Sequence, residues 1–356
     1  AADGDTIRIA AGVYVEQTRI TRKNLTLVGE PGTILRAFPN MEDAVPGINN
    51  SRCILFIQFS SDVNVRNLSF EGDQLADQQG DANNVIGVYH LDSGGSVENC
   101  RFTGFRERVP GSGRGKAARC RNDLPGAPLY FYQVTGTTIV DSYLGLEVIG
   151  APDKLSLRIN LQNNHIRGVG PTENSSSELR GIDLGYGVTG SVTGNSISGF
   201  SYSGQDAEFP WGWGIIAVGE GWPNHPALDP IRFENNTLED NNLHLVISKG
   251  NDCEVINNHF EGTGPGLSQA GLWFGGSDVE VRGNRFRDMQ TAVIVGGEDP
   301  ILGTDLGIAI DAVLTDNRFS DVDTPFVHQP QSSATEENTL IAPFPDPDLK
   351  IETAIR

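Results

Sequence analysis

The chain has 356 residues, with 26 Lys and Arg against 46 Asp and Glu, and its formal net charge of −20 sets it against nucleic acid and anionic membranes as partners. No apolar run approaches the roughly 18 residues that a membrane span needs. The length would allow two domains, yet no Pro/Ser-rich linker divides the sequence, so one elongated domain is expected.

Residues 5–36 read GDTIRIAAGVYVEQTRITRKNLTLVGEPGTIL, short alternating runs separated by Gly and Asn turns. Further on a phrase recurs in which an Asn stands two residues before an apolar one: Asn164/Ile166, Asn195/Ile197, Asn236/Leu238, Asn258/Phe260, Asn284/Phe286 and Asn317/Phe319, with weaker versions at Cys100/Phe102 and Ser142/Leu144. The intervals from Asn164 are 31, 41, 22, 26 and 33 residues, which excludes a helical array of constant length. What stays fixed is local: three residues before each Asn is an apolar residue, namely Leu161, Val192, Phe233, Val255, Val281 and Leu314. A core of about 22 residues with loops of free length is the pattern of a β-solenoid, whose stacked coils bury only their inward faces. The Asn side chains are expected to stack as an internal ladder at one turn. We expect an all-β, single-stranded right-handed parallel β-helix of roughly eleven coils over residues 1–323. Residues 324–356 would form a last coil and a Pro-rich capping tail.

The opening phrase GDTI-x-I-x-x-G-x-Y-x-E, followed by the coil NLTL-x-G, resembles the first coils of the pectin lyase-like superfamily. The later Asn phrases resemble its carbohydrate-binding and sugar-hydrolase repeats. The resemblance covers most of the chain and implies the β-helix fold and a polysaccharide or oligosaccharide partner. It carries no mechanism, because the superfamily hosts lyases, hydrolases, esterases, epimerases and non-catalytic spikes. The phrases NTDG, GHG and RIK of polygalacturonases, DFIFG and LGRPW of pectin methylesterases and YGFDPH of alginate epimerases are absent, so no catalytic residue transfers.

A site must therefore come from the repeat. Between Asn phrases lies a strand with a small, an aliphatic and a variable residue, whose alternation would point the variable one outward. Stacking would put Tyr89, Tyr130, Glu147, Asp183, Ile216, His244, Trp273 and Ile294 in one exposed column, walled by insertions at 103–127, 168–180, 200–212, 219–230, 262–270 and 296–310. Glu147 and Asp183 on adjacent coils would stand about 5 Å apart, the separation of a retaining glycosidase pair. Arg180 and His244 complete the catalytic candidates, with His225 on a wall.

Trp211, Trp213, Trp222 and Trp273, all the tryptophans of the chain, fall on this groove, where aromatic faces would stack on sugar rings together with Tyr89 and Tyr130. The stretch RFTGFRERVPGSGRGKAARCR at 101–121 reverses the local charge and would suit an acidic polymer. For such a polymer, β-elimination with Lys249, Arg180 or His244 as base is the competing chemistry.

The first reading is an extracellular glycoside hydrolase or polysaccharide lyase, the hydrolase leading. The second is a non-catalytic carbohydrate-binding or adhesin β-helix, possible as a homotrimer. The opening on AADGDTIRIAAG suggests a processed secreted protein. Acidic loops at 71–84 and 296–305 would offer Ca²⁺ its oxygen ligands. Cys53 and Cys120, or Cys120 and Cys100, lie where a disulfide is conceivable, while Cys100 and Cys253 read as core.

Overall fold

The computed structural model describes residues 1–45, 52–79, 84–108, 114–172, 179–202, 212–218, 229–263, 269–297 and 309–340. Thirty-one strands join into one continuous parallel arrangement, most of them pairing with the strand three steps further along the chain. Three strands make one turn, so the coil has three faces. The first runs from Thr6–Ile9 through Leu25–Gly29, Val63–Arg66 and Gly95–Glu98 to Glu280–Arg282. The second runs from Gly12–Tyr14 through Thr33–Arg36 and Ser69–Glu71 to His259–Glu261 and beyond. The third holds Thr18–Thr21, Arg52–Gln58, Asn84–Leu91, Arg114–Arg121, Leu144–Ile149, Arg180–Leu184, Trp213–Val218, Leu243–Ser248 and Ala270–Phe274, then 291–295 and 324–328, eleven successive segments among the described residues.

The turn between the first and second faces explains the recurrent Asn phrase. The first residue of each turn takes a left-handed backbone: Asn67, Asn99, Asn163, Asn235, Asn257 and Asp316 have φ between +51° and +56°, and Gly136, Gly194 and Gly283 lie between +60° and +69°. Asn, Asp and Gly tolerate that region best, which accounts for the dipeptides Asn-Asn and Gly-Asn. The second residue turns inward. Asn164 donates from Nδ2 to Asn195 Oδ1 at 3.0 Å, and the chain continues through Asn236, Asn258, Asn284 and Asn317 to Asn338 at 2.9–3.0 Å. From Asn164 to Asn317 each Nδ2 also donates to a carbonyl of the preceding coil, as Asn236 does to Val192 O at 2.8 Å, and each Oδ1 accepts a backbone N–H, as Asn236 Oδ1 does from Asn195. These buried amides are therefore satisfied on both sides. Towards the N-terminus Thr137 and Cys100 continue the row. The weak phrase at Ser142 is misplaced: Thr137/Ile139 holds the ladder position of that coil, and Ser142 pairs with Phe105 on the second face.

Two residues beyond the ladder, the apolar partner enters the core. Phe70 stacks on Phe102 at 4.8 Å, and Phe260, Phe286 and Phe319 form a second stack at 4.7 and 5.3 Å. All four cysteines are buried, and none is in a disulfide. The disulfide considered between Cys53 and Cys120 fails because Cys53 belongs to an apolar cluster on the outer side of the third face, whereas Cys120 and Cys100 belong to the interior. No helix among the described residues is long and apolar enough to cross a membrane.

Adjacent residues of one turn should respond oppositely to mutation. Asn236→Ala removes a buried group that makes several hydrogen bonds and should cost about 3 kcal/mol, whereas Asn235→Gly, at φ +55°, should be neutral or slightly stabilising. Thermal melts of the two variants beside the parent check this.

Candidate functional site

The third face is bent. Its register pairs Arg180 with Trp213 and then Ile182 with Ile215, so the small residue between them turns into the coil. A Cβ on Gly181 would lie 2.5 Å from Ile197 Cγ2, and one on Gly145 would lie 2.7 Å from Ile166 Cγ2. Glycine there lets the third face pass close over the inner row of the second. Because the small residue and the aliphatic residue after it both point inward, the outward positions lie one before and two after the small residue. The face thus presents two outer columns, not one.

One column is Phe56, Tyr89, Arg119, Glu147, Asp183, Ile216, Val246, Trp273 and Ile294. The other is Ile86, Lys116, Leu144, Arg180, Trp213, Leu243, Ala270 and Thr291. Tyr89, Glu147, Asp183, Ile216, Trp273 and Ile294 share one column as the repeat predicts, but the column is not exposed: all but half-buried Ile294 are buried. Tyr130 and His244 do not. Tyr130 opens a first-face strand, Tyr130–Thr135, and Arg119 takes its place in the column, because the basic insertion at 103–127 contains a whole coil strand. His244 aligns with the small residues, one before Leu245, and Val246 occupies the column. Its ring is fully buried near Phe260, Nε2 lies 2.8 Å from Glu261 O, and burial pulls its pKa down to about 3. A neutral imidazole sealed in the core is removed from the catalytic candidates. Lys249 follows the end of Leu243–Ser248 with φ +50°, outside both columns. Trp211, Trp222 and His225 lie outside the described residues, as do 80–83 and 298–305 of the two acidic loops. Among the described residues no group of three or more His, Cys, Asp or Glu could hold a metal ion.

The two columns converge on five charges in three consecutive coils. Lys116 Nζ donates to Glu147 Oε1 at 2.5 Å, and Arg119 pairs with Glu147 Oε2. Arg180 Nη1 bonds Asp183 Oδ2 at 2.5 Å. Side-chain exposures run from 6% for Arg119 to 16% for Arg180, so water screens these interactions weakly. Burial opposes ionisation of Glu147, but Lys116 and Arg119 outweigh it and hold the carboxyl at about 2. Burial, opposed by Arg180 and aided by the Glu147 charge, pushes Asp183 up, and burial pulls Lys116 down. Lys116 and Arg119 of the basic stretch thus belong to the floor and not to a wall beside it: the run Lys116-Ala117-Ala118-Arg119, and not 128–130, carries the small-aliphatic spacing of this coil.

Buried apolar clusters flank the charges on both sides. Towards the N-terminus lie Cys53, Phe56, Ile86, Tyr89 and Leu91, with Arg119 over the Tyr89 ring at 4.9 Å. Towards the C-terminus lie Trp213, Ile216, Leu243, Val246, Ala270 and Trp273. Arg180 sits over the Trp213 ring at 5.3 Å, so this indole meets a guanidinium rather than offering a bare face to a sugar.

Solved structures resemble the whole chain. A PL6 alginate lyase in complex with a trisaccharide superposes with a TM-score of 0.56 at 14% identity, over 98% of this chain and 82% of that one. The fold is that of the right-handed parallel β-helix. The periplasmic alginate epimerase AlgG matches with a TM-score of 0.53 at 10% identity, over 96% of this chain and 84% of that one. The chain spans 53% of the Geobacillus virus E2 protein ORF18, with a TM-score of 0.43 at 12% identity over 95% of its own length. No family model and no curated protein sequence matches this chain.

The depressed Glu147 pKa gives a pH signature. Its contribution to stability is full above the unfolded value near 4.5 and is lost as pH falls through about 2. Glu147→Gln strips Lys116 and Arg119 of their shared counter-ion and should cost about 3 kcal/mol or more near neutrality. The difference in melting temperature between parent and variant should narrow as pH is lowered from 5 towards 2.

Proposed function

We propose that this β-helix acts on an anionic, uronate-containing polysaccharide by removing the C5 proton, as a lyase or an epimerase, on the five-charge floor of the third face. The observation that carries the reading is the charge balance there: Lys116, Arg119 and Arg180 against Glu147 and Asp183 leave one positive charge in excess even with both carboxylates ionised.

The sign of that excess separates the two chemistries. Glycoside hydrolysis passes through an oxocarbenium-like transition state, which a buried cationic floor disfavours. Removing the proton beside a carboxylate builds negative charge on that carboxylate, which the same floor stabilises. Glu147 and Asp183 do have pKa values pushed apart, as a retaining pair requires. Glu147, however, has one oxygen on Lys116 and the other on Arg119, which quenches it as a nucleophile. We therefore favour elimination or epimerisation over the hydrolase.

In this scheme Arg180 neutralises the substrate carboxylate, exchanging part of its contact with Asp183. Arg119 is a positioning residue that holds Glu147, and through it Lys116. Lys116, its proton loosened by burial, takes the C5 proton from its neutral form, and so restores the positive excess as charge builds on the substrate carboxylate. The C5 electron pair then forms the C4–C5 double bond as the C4–O bond breaks, and the leaving oxygen takes a proton from the ammonium of Lys116 or from water. Alternatively, C5 is reprotonated from the opposite side and the chain stays intact. The alginate lyase and epimerase among the similar structures support an acidic polymer as substrate and a site of action outside the cytoplasm.

The test is a panel of neutral and uronate polysaccharides followed by unsaturated-product absorbance, reducing ends and deuterium uptake at C5. Absorbance on a uronate polymer identifies a lyase, and C5 exchange without cleavage an epimerase. New reducing ends on a neutral glycan without absorbance overturn the reading. Binding of a uronate polymer with no turnover points to a non-catalytic glycan-binding β-helix. Lys116→Met should lower turnover by about 10² to 10⁴ while binding changes little.

A further inference from the structure

Two indoles lie on the third face, and both are buried: Trp213 is 1% exposed and Trp273 6%. Their polar edges differ. Trp273 donates its Nε1–H to Gly296 O at 3.0 Å. Trp213 Nε1 is buried and meets no acceptor among the described residues. Leaving a buried N–H without a partner costs free energy, so native proteins nearly always supply one.

The position of Trp213 points to what supplies it. Trp213 is the register neighbour of Arg180 in the outer column, one strand spacing of about 4.8 Å away, with the Arg180 guanidinium over its ring. On its other side stands Leu243, which offers no side-chain acceptor. The chain thus places an unused neutral donor beside a cationic one at the edge of the charged floor. Together they match a group with acceptor oxygens side by side, as a sugar ring with a carboxylate and a neighbouring ring or hydroxyl oxygen has.

We propose that Trp213 is a specificity-determining residue that recognises a uronate unit through its indole N–H, donating to an oxygen of the same sugar whose carboxylate Arg180 holds. The proposal rests on the uronate reading above and deepens it. Trp213 contributes its edge, while its ring face, already covered by Arg180, holds that guanidinium in place. A neutral sugar would satisfy the indole but leave Arg180 with Asp183 as its counter-ion and no contact to the ligand. A small carboxylate lacking the second oxygen would do the reverse.

The test compares the parent protein with Trp213→Phe, Trp273→Phe and a form carrying the isosteric benzothiophene side chain at 213. Each is measured by calorimetric titration with mannuronate and guluronate trisaccharides and by thermal melting. Loss of one ligand hydrogen bond should weaken binding of the preferred trisaccharide about tenfold in both 213 variants. The benzothiophene form should melt no lower than the parent, since it removes an unpaired donor and keeps the ring. Trp273→Phe should melt lower, having lost a made hydrogen bond, with binding within about twofold of the parent. Unchanged binding in the benzothiophene form overturns the Trp213 inference alone. Failure of the parent to bind either trisaccharide overturns this inference together with the uronate reading on which it rests.

Discussion

The Asn ladder governs the rest of the molecule. One turn per coil needs a residue with a left-handed backbone and, immediately after it, a side chain that both donates and accepts along the axis. An amide meets the second demand because its donor and acceptor face opposite ways, so each copy completes the next. Neighbouring coils are locked at one spacing, and every inward and outward position on the other two faces inherits its register from that turn. Loops can then vary freely, which is why the ladder intervals range from 21 to 41 residues while the strands stay aligned.

This coupling explains what the sequence disclosed. The fold was legible because the ladder turn admits few residue types, Asn or Gly followed by Asn, with an apolar residue at fixed distances on either side. Most of the outer column was legible by counting from it. The reading failed where the small position of the third face was filled unexpectedly. Glycine marks it at 87, 145, 181, 214 and 271, but Ala117 and His244 also occupy it. A histidine pointing into the core looks, on paper, like a histidine pointing into a groove. The hydrophobic run 245–247, aligned with 215–217, is the signal that separates them.

The second outer column was missed for a geometric reason. Strict alternation puts one residue in two on each side of a strand, but the third face bends, with two successive residues turned inward. Lys116, Arg180 and Trp213 therefore lie on the outer side of the strands beside Arg119, Glu147 and Asp183. Reading Glu147 with Asp183 alone suggests a carboxylate pair. Restoring the cations shows carboxylates already committed to counter-ions, and the chemistry that suits the face changes sign. The aromatic residues change role as well: Tyr89 and Trp213 each lie under a guanidinium and fix the direction of its charge.

The bend of the third face also divides the molecule into parts that tolerate change differently. Each coil contributes one outward residue to each of two columns, and those residues touch the hydrogen-bonded ladder only through their own strand. An exchange such as Val246 to another aliphatic residue would rewrite one step of the buried outer column without disturbing the turn that sets its height. The face works as a ruler with evenly spaced marks, on which charge, aromatic ring or aliphatic patch can be set mark by mark. Three charged marks between two apolar stretches span about 10 Å, close to the length of two linked sugar rings.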